Sequence, residues 1–329
     1  MKVLVIYRKF IPGRLSIEKV FENVYTNFKE IEHQSYTYVS LPKFLIFLIK
    51  NIKKFDVVHI TGDVNYLSIF TFLFCPTVNT IHDFGSIKNL SNSNKKIIKF
   101  FKRLVFKFLW IDIPYYTSSK ITVGSLAVIN DFVTLGYSSE KISRVGHPSY
   151  SNVKKISEYS TKINKLQVLI IGTGKHKNID RSIEACKSIL GIELIIIGSL
   201  DKDLLKKLNG IKYTNYFDIS DKEIEKKYFE SDILLFPSLH EGFGLPILEA
   251  NTIGLPVITS HIAPCTEVAS NAAYYVDPDD SFEIKNAIIN LMNGSELKRK
   301  LVSNGFVNSN KFSRDKIQGL YLNIFKSVV

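Results

Sequence analysis

The sequence predicts an α/β protein with two domains, each built on a parallel sheet with crossover helices. Short β-branched runs alternate with longer amphipathic stretches, which is typical of strands separated by helices. A polar run at 148–165, rich in Ser and Lys, interrupts the alternation, which then restarts. The chain has 329 residues, 45% of them hydrophobic, a length that suggests two domains rather than one.

The first domain is predicted over residues 1–150. Its strands are predicted at Val3–Tyr7, Gln34–Val39, Val57–Thr61, Thr77–Ile81 and Lys120–Val123. A loop through Gly13 follows the first strand and leads to a helix over Ser16–Lys29, for which Ser16 can serve as the N-cap. In sheets of this kind, ligands bind beyond the carboxyl ends of the strands.

The second domain is predicted over residues 151–311, and residues 312–329 form a last helix. Its strands are predicted at Gln167–Ile171, Glu193–Ile197, Ile233–Phe236 and Pro256–Thr259. Its helices are predicted at Asn178–Ile189, Asp201–Leu208, Asp221–Glu230, Pro246–Ile253 and Ser281–Met292. Both domains are therefore α/β domains that can hold a ligand beyond the carboxyl ends of their strands.

Most of the positive charge lies in the first half of the chain. The formal net charge is +12, and residues 1–150 carry 20 Lys and Arg against 10 Asp and Glu, a difference of +10. This asymmetry favours an anionic partner, such as a phosphorylated acceptor, a membrane surface or nucleic acid. Solvated lysines are the alternative. The sequence contains no recognised nucleic-acid module, so nucleic acid is not expected as a partner.

The cysteines indicate a reducing compartment, and the apolar runs indicate a protein that neither is secreted nor spans a membrane. Cys75, Cys186 and Cys265 are scattered and lack metal-ligand spacing, so neither a disulfide framework nor a zinc site is expected. The apolar run in Met1–Arg8 is too short for a signal peptide. No apolar run approaches the roughly 18 residues of a spanning helix. We therefore expect a cytoplasmic protein that is not integral to a membrane.

The densest signal is the stretch Phe236–Ala250, FPSLHEGFGLPILEA. It predicts a strand, a glycine-bearing turn and a helix opened by Pro246. The two glycines allow close approach of a ligand, and the N–H groups of a helix N-terminus suit a diphosphate or a sugar oxygen. Glu241 and Glu249 can accept hydrogen bonds from vicinal hydroxyls. The alternative is an ordinary strand–turn–helix connection with two surface glutamates.

This stretch resembles the retaining glycosyltransferases of family 4, which have the GT-B fold of two Rossmann-like domains facing each other across a cleft. The likeness rests on the Glu-x7-Glu spacing and on the following run GLPVITS at 254–260, and it extends more thinly over nearly the whole chain. It implies that Glu241 contacts the donor sugar, that Glu249 binds ribose hydroxyls and that the last helix crosses back to the first domain. It also implies that the amides of one turn face the donor, those of Gly242, Phe243, Gly244 and Leu245.

A second loop, GTGKHKN at 172–178, offers positive charge beside a predicted helix N-terminus and can cradle a departing diphosphate. Similar enzymes often have an Arg after the first glycine and a Lys before an Asn. Lys177 matches that lysine, but Thr173 stands where the arginine often is, so Lys175 is the candidate second cation. Two solvated loop lysines are the alternative. The aspartates of the run 277–280 lie in a predicted turn and are expected to be solvated, so we expect no metal and no cofactor. Cations and helix dipoles would then neutralise the leaving group.

His82 ends a predicted strand of the first domain, where a neutral ring can hydrogen-bond a sugar hydroxyl. The resembled family commonly has a cleft histidine here, so His82 joins Glu241 and Lys177 as a predicted catalytic residue. A structural histidine is the alternative. The run His59–Asp63 also ends a strand and is a candidate for the acceptor side. Gly13 lies in a loop that similar enzymes use near the donor phosphates.

The segment Lys95–Trp110 is the clearest amphipathic stretch. With a helical period its apolar side chains share one side, whereas its lysines, Arg103 and Trp110 share the other. A basic face that carries an aromatic suits a helix lying on anionic lipid. The alternative is a domain helix whose apolar side packs on the sheet and leaves the lysines in water.

These patterns together predict a metal-independent, retaining glycosyltransferase. It would move a hexose from a UDP- or GDP-sugar to a glycan or lipid-linked acceptor in bacterial surface polysaccharide or glycolipid synthesis. We expect it in the cytoplasm, peripheral on the inner face of the plasma membrane. The alternative is a non-catalytic GT-B subunit that binds and activates a partner glycosyltransferase, and intact Glu241, Glu249 and Lys177 argue against it.

Overall fold

The computed structural model describes residues 1–9, 16–84, 96–149 and 166–329. The chain divides into two compact units. The first comprises Met1–Pro148 together with Arg314–Val329, and the second comprises Ser149–Ser313. The last helix therefore belongs to the first unit. The binding roles predicted for the two domains stay predictions.

The first unit contains a six-stranded parallel sheet with the strand order β2-β1-β3-β4-β5-β6. The strands are β1 Lys2–Tyr7, β2 Glu32–Thr37, β3 Val57–Ile60, β4 Thr77–Ile81, β5 Lys120–Val123 and β6 Ile142–Arg144. The five predicted strands are present, and the missed β6 is a three-residue edge strand with one buried residue. The strand order reverses between β1 and β3, so the carboxyl ends of these two strands flank the crevice where such sheets bind ligands.

Helices cover both faces of this sheet. They are Ser16–Tyr25, Leu41–Asn51, Ser68–Thr71, Ile113–Thr117, Leu126–Thr134 and Arg314–Lys326. The helix Lys96–Lys107, which continues into a π-helical turn at Phe108–Asp112, also belongs to this unit. On one face, Leu4 and Ile60 pack against Phe44. On the other, the ring of Tyr321 in the last helix lies 5.2 Å from that of His59. Burial of this aromatic contact fixes the last helix on the first unit.

The second unit contains a six-stranded parallel sheet with the order β12-β11-β10-β7-β8-β9. The strands are β7 Leu166–Ile171, β8 Ile192–Ile197, β9 Tyr213–Tyr216, β10 Ile233–Phe236, β11 Val257–Ser260 and β12 Tyr274–Val276. The four predicted strands are present. Sequence reasoning missed β9 and β12, which are short strands at the two edges. Here the order reverses between β7 and β10, which places the crevice beyond the ends of those two strands.

The helices of the second unit enclose two apolar layers, one on each face of the sheet. They are Ile179–Cys186, Lys202–Lys207, Asp221–Glu230, Leu245–Ile253, Ala263–Ala269, Ser281–Asn293 and Ser295–Ser309. β8 is buried along its whole length, as expected for a strand covered by helices on both faces. Across the described parts of the chain, no helix combines the length and the apolar character needed to span a membrane.

Candidate functional site

Two loops meet at the crevice of the second sheet. One follows β7 at residues 172–178, and the other follows β10 at residues 237–244. The backbone N–H of Leu239 donates to the carbonyl of His176 at 2.8 Å. The side-chain amide of Asn178 donates to the carbonyl of Pro237 at 3.0 Å and to that of Pro278 at 2.6 Å. The two loops therefore form one surface at the point where sheets of this type bind ligands.

Asn178 is the residue that ties this surface together, and sequence reasoning did not single it out. Its backbone is left-handed, with a φ of 59°, and its side chain is 3% exposed. Asparagine tolerates this conformation better than most residues, because its short amide can bond to nearby backbone. The signal was present in the sequence as an asparagine at the start of a helix after a glycine-rich turn.

Lys177 and Glu241 form an ion pair across the two loops. Lys177 Nζ lies 2.7 Å from Glu241 Oε1, and the two side chains are only 19% and 9% exposed. The ammonium also lies 4.6 Å from the centroid of the Phe236 ring at the end of β10. Gly172, with a φ of +85°, leaves room for the lysine stem, because a Cβ there would stand 3.1 Å from Lys177 Cγ. Partial burial makes this pair stronger than one on an open surface.

The turn after Glu241 ends in the N-terminus of the helix Leu245–Ile253. Gly244 takes the N-cap position with a φ of 100°, and Pro246 follows in the first turn. A proline there removes an N–H that would have no helical partner and holds the φ that a helix requires. The side chain of Phe243 is 6% exposed and packs on Phe312, with ring centroids 5.7 Å apart. A donor contact by Phe243 would therefore come from its backbone.

Glu249 lies one turn inside this helix and accepts a hydrogen bond from Tyr228 at 2.5 Å. Tyr228 is 2% exposed, and burial together with the nearby carboxylate raises its pKa well above the ordinary value. The phenol therefore stays protonated and donates. Sequence reasoning missed Tyr228, because a tyrosine on a polar helix carries no distinctive signal.

The other predicted donor-binding residues of the first loop differ in exposure. Lys175 is exposed in a 3₁₀ turn that also contains Lys177. Thr173 is half-buried, and its hydroxyl donates to the carbonyl of Ser199 at 2.6 Å. Thr173 thus links the β7 loop to the end of β8. Of the two loop lysines, only Lys177 is drawn into the ion pair with Glu241.

His82 lies at the corresponding edge of the first sheet, directly after β4. Its Nε2–H donates to the carbonyl of Thr61 at 2.7 Å, so the neutral ring can accept a hydrogen bond at Nδ1. The ring packs against Gly62, where a Cβ would approach it to 2.7 Å. Burial lowers the pKa of His82 and favours the neutral form.

An ion-pair network stands beside His82 at the crevice between β1 and β3. The guanidinium of Arg8, which is 8% exposed, bonds Glu18 at 2.5 Å and also bonds Asp63. The left-handed Asp63 accepts a further hydrogen bond at its carbonyl from the indole of Trp110. This edge of the first sheet therefore carries two carboxylates held by one buried cation.

The suggestion that His59 lines the acceptor side is wrong. Its side chain is fully buried inside β3, and both ring nitrogens have partners. Nδ1 lies 2.7 Å from the hydroxyl of Tyr25, and Nε2 lies 2.9 Å from that of Thr80. It is a core histidine, and burial lowers its pKa to about 3. The predicted donor residue Gly13 lies outside the described residues.

The amphipathic segment also differs from its prediction. The helix runs over Lys96–Lys107, and Lys95 lies outside the described residues. Trp110 does not join the basic face, because it sits in the π-helical turn and stacks on Phe106 at 4.3 Å. The alternative, in which the apolar side of this helix packs on the sheet, is wrong for the side chains that the structure describes. Phe101, Leu104, Val105 and Phe108 are each more than half exposed.

No group of three His, Cys, Asp or Glu side chains with the arrangement of metal ligands occurs within the described ranges. Asp279, predicted to be solvated, is indeed exposed, and it pairs with Arg181 at 2.8 Å. Metal independence stays a prediction.

The chain is similar in sequence to known glycosyltransferases. Residues 154–307 match the model of the family described as glycosyl transferases group 1. An uncharacterised 41.2 kDa protein in the cps region of Klebsiella pneumoniae is 26% identical over 88% of this chain and 84% of its own length. The O-antigen chain mannosyltransferase RfbU of Salmonella typhimurium is 30% identical over 58% of this chain and 56% of its own length.

Solved structures share the fold. HepE from Anabaena, in complex with UDP and glucose, superposes with a TM-score of 0.76 at 16% identity over 99% of this chain and 100% of its own. WaaG, a glycosyltransferase involved in lipopolysaccharide biosynthesis, gives a TM-score of 0.70 at 16% identity, with 99% of each chain covered. The predicted GT-B fold is confirmed. The match to the glycosyl transferases group 1 model thus lies in the second unit, and the chain as a whole has the GT-B fold.

Proposed function

We propose that this protein transfers a hexose from a UDP- or GDP-sugar to a glycan or lipid-linked acceptor in bacterial surface polysaccharide or glycolipid synthesis. The observation that carries the proposal is the Lys177–Glu241 pair at the crevice between β7 and β10. Beside it stands the N-terminus of the helix Leu245–Ile253. A cation, a carboxylate and a set of helical N–H donors are what a diphosphate joined to a sugar requires.

In this proposal each group has one task. The N–H groups around Gly244 and the ammonium of Lys177 stabilise the diphosphate, and Glu241 accepts hydrogen bonds from the sugar hydroxyls. Lys175 is exposed and stands ready as a second cation for the outer phosphate. Because these groups supply positive charge to the leaving diphosphate, the reaction proceeds without a divalent metal.

We further propose that the transfer retains the anomeric configuration. The bond between the sugar and the diphosphate breaks, and the acceptor oxygen bonds to the anomeric carbon on the same face. The departing diphosphate oxygen takes the proton of the acceptor hydroxyl. His82 would accept a hydrogen bond from a sugar hydroxyl at Nδ1, consistent with its lowered pKa.

The relatives support a hexose donor. RfbU is named as a mannosyltransferase, and HepE was crystallised with UDP-glucose. Mannosyl and glucosyl are both hexosyl groups. The base of the nucleotide is the first property to test.

The first experiment is thermal unfolding of the full chain against UDP, GDP, ADP and their sugar derivatives, with EDTA present. A ligand that binds only the folded state at 100 times its Kd adds about 2.7 kcal/mol of stability. We expect one nucleotide and its sugar derivative to stabilise the protein in EDTA. Glu241→Gln should lose the extra stabilisation by the sugar derivative, while the exposed control Glu184→Gln should keep it. Stabilisation by none of them would refute the proposal and favour the non-catalytic subunit.

We propose, in addition, that the enzyme is cytoplasmic and docks peripherally on anionic lipid through the helix Lys96–Lys107. Its apolar side chains at 101, 104, 105 and 108 are exposed next to the exposed cations Lys102 and Arg103. Apolar insertion and attraction to anionic headgroups act together in such helices. Lys107 contributes less, because it is paired with Asp112 at 2.7 Å.

Flotation with vesicles tests this docking. We expect the protein to float with phosphatidylglycerol-containing vesicles and to remain behind with pure phosphatidylcholine. Leu104→Gln combined with Phe108→Gln should reduce the bound fraction, whereas Phe282→Gln, at an exposed phenylalanine of the second unit, should not. Equal flotation of the three proteins would refute a role for this helix.

A further inference from the structure

Tyr228 lies beneath the helix that carries Glu249. It belongs to the helix Asp221–Glu230, whose other residues are half-buried or exposed, and its own side chain is 2% exposed. That helix begins with a capping box, in which Ser220 and Glu223 satisfy each other's backbone N–H groups. The cap fixes where the helix starts, and therefore which of its side chains points inward.

The hydroxyl of Tyr228 has a clear preference between two acceptors. It lies 2.5 Å from Glu249 Oε2 and 3.4 Å from the carbonyl of Pro246. Hydrogen bonds from hydroxyls are typically about 2.7 Å long, so the carboxylate is the true partner. Burial keeps the phenol protonated, and so Glu249 is the acceptor.

We propose that Tyr228 is a positioning residue that fixes the Glu249 carboxylate for the vicinal hydroxyls of the ribose of a nucleoside diphosphate. The inference rests on the proposed function and extends it to a residue that does not touch the ligand. A carboxylate can accept about four hydrogen bonds, so one bond from a phenol orients the group without exhausting its capacity.

The two glutamates of the site are held in different ways. Glu241 is held by the cation Lys177, which offsets its charge, whereas Glu249 is held by a neutral phenol that leaves the charge in place. Hydroxyls bond more strongly to a charged acceptor than to a neutral one. A neutral positioning group is therefore suited to a carboxylate that must bind hydroxyls.

A tyrosine that merely fills space would behave differently. Tyr228→Phe keeps the ring and its packing and removes only the donor. If the hydroxyl serves stability alone, the melting temperature falls and the selectivity for ribose stays the same. If it positions Glu249, the selectivity for ribose falls while binding of the phosphates is preserved.

The test compares ribose with deoxyribose. We would measure, in EDTA, the Kd values of UDP, GDP and their 2′-deoxy counterparts, with inorganic pyrophosphate as a probe of the phosphate subsite. In the unmodified protein we expect the deoxy compound to bind roughly tenfold more weakly, the scale of one lost hydrogen bond to a charged group. In Tyr228→Phe we expect this ratio to fall to about two or three, with the Kd of pyrophosphate unchanged.

Two further variants sharpen the result. Tyr274→Phe removes a phenol of β12 that accepts from Asn290 at 3.1 Å, and it should keep the full ratio. Glu249→Gln should bring the ratio of the deoxyribose Kd to the ribose Kd close to one. Adding Tyr228→Phe should change this ratio no further, because both variants act through the carboxylate of Glu249.

The outcomes separate this inference from the proposed function. Failure of the unmodified protein to bind either nucleotide refutes the proposed function. Binding with equal affinity for ribose and deoxyribose, or a full ratio in Tyr228→Phe, overturns the positioning role and leaves the proposed function standing.

Discussion

The ion pair between Lys177 and Glu241 makes a prediction about both stability and binding. Lys177→Met keeps the apolar stem and removes the charge, which leaves a carboxylate only 9% exposed without its cation. Loss of one partner of a fully buried pair costs about 3–5 kcal/mol. Since the lysine is 19% exposed and water reaches part of the site, we expect the free energy of unfolding to fall by about 2–3 kcal/mol.

The assay is a double-mutant cycle in urea with Lys177→Met, Glu241→Gln and the double variant. The double variant should recover part of the loss, because neither change then strands a charge. Lys207 and Asp180 provide the control, since they lie 2.6 Å apart but their side chains are 50% and 54% exposed. Water screens that pair, so its coupling should be much smaller.

The two single variants should change the affinity for the nucleoside diphosphate in opposite directions. Glu241 competes with a diphosphate for the ammonium of Lys177, so Glu241→Gln should tighten binding of the nucleoside diphosphate while weakening the extra contribution of the sugar. Lys177→Met should weaken both. A coupling energy no larger than that of the control pair, or weaker binding of the nucleoside diphosphate to Glu241→Gln, would refute this reasoning.

Two further predictions concern stability. His147 is buried and neutral, with its pKa lowered to about 3 by burial and by His82. Its unfolded pKa is about 6.5, so its contribution to stability is present above that value and is lost as the pH falls, by about 2 kcal/mol at pH 5. In urea, His147→Gln should reduce the loss of stability between pH 7 and 5, and an unchanged loss would contradict this. Gly254 has a φ of 92°, and a Cβ there would approach Phe306 to 2.6 Å. Gly254→Ala should therefore cost about 2 kcal/mol or more, whereas Gly136→Ala, at a φ of 88° in open space, should cost about 1 kcal/mol. Equal costs in urea unfolding would contradict the steric argument.

The sequence was sufficient to predict those strands that are buried on both faces of a sheet. β1, β3, β8 and β10 were predicted within two residues of their bounds, because continuous β-branched runs are typical of strands covered by helices. The missed strands β6, β9 and β12 are short edge strands with at most one buried residue each, and they carry no such run. Their pairing depends on the neighbouring strand, which no local pattern encodes.

The candidate site divides in the same way. Glu241 and Lys177 were singled out from the sequence because they lie in glycine-rich loops after predicted strands, where a parallel sheet places ligands. Glu249 was singled out by its spacing from Glu241 in the helix that follows. Tyr228 and Asn178 were not found, because each acts on a residue far away in the chain. His59 was misjudged, because a histidine near a strand end does not reveal whether its ring points to the core or to the edge.

The residues that sequence reasoning missed share one property, which is that each holds another side chain or a loop at one of the two crevices. Tyr228 holds Glu249, Asn178 holds the loop that carries Lys177, and Arg8 holds Asp63. A binding group on a loop keeps its geometry only if its rotamer is fixed by packing and by hydrogen bonds from rigid elements. Tyr228 provides this from a capped helix, and Arg8 from the end of a buried strand. Variants at these supporting residues should therefore change selectivity for the ligand more than they change the fold, which is the behaviour that Tyr228→Phe is designed to reveal.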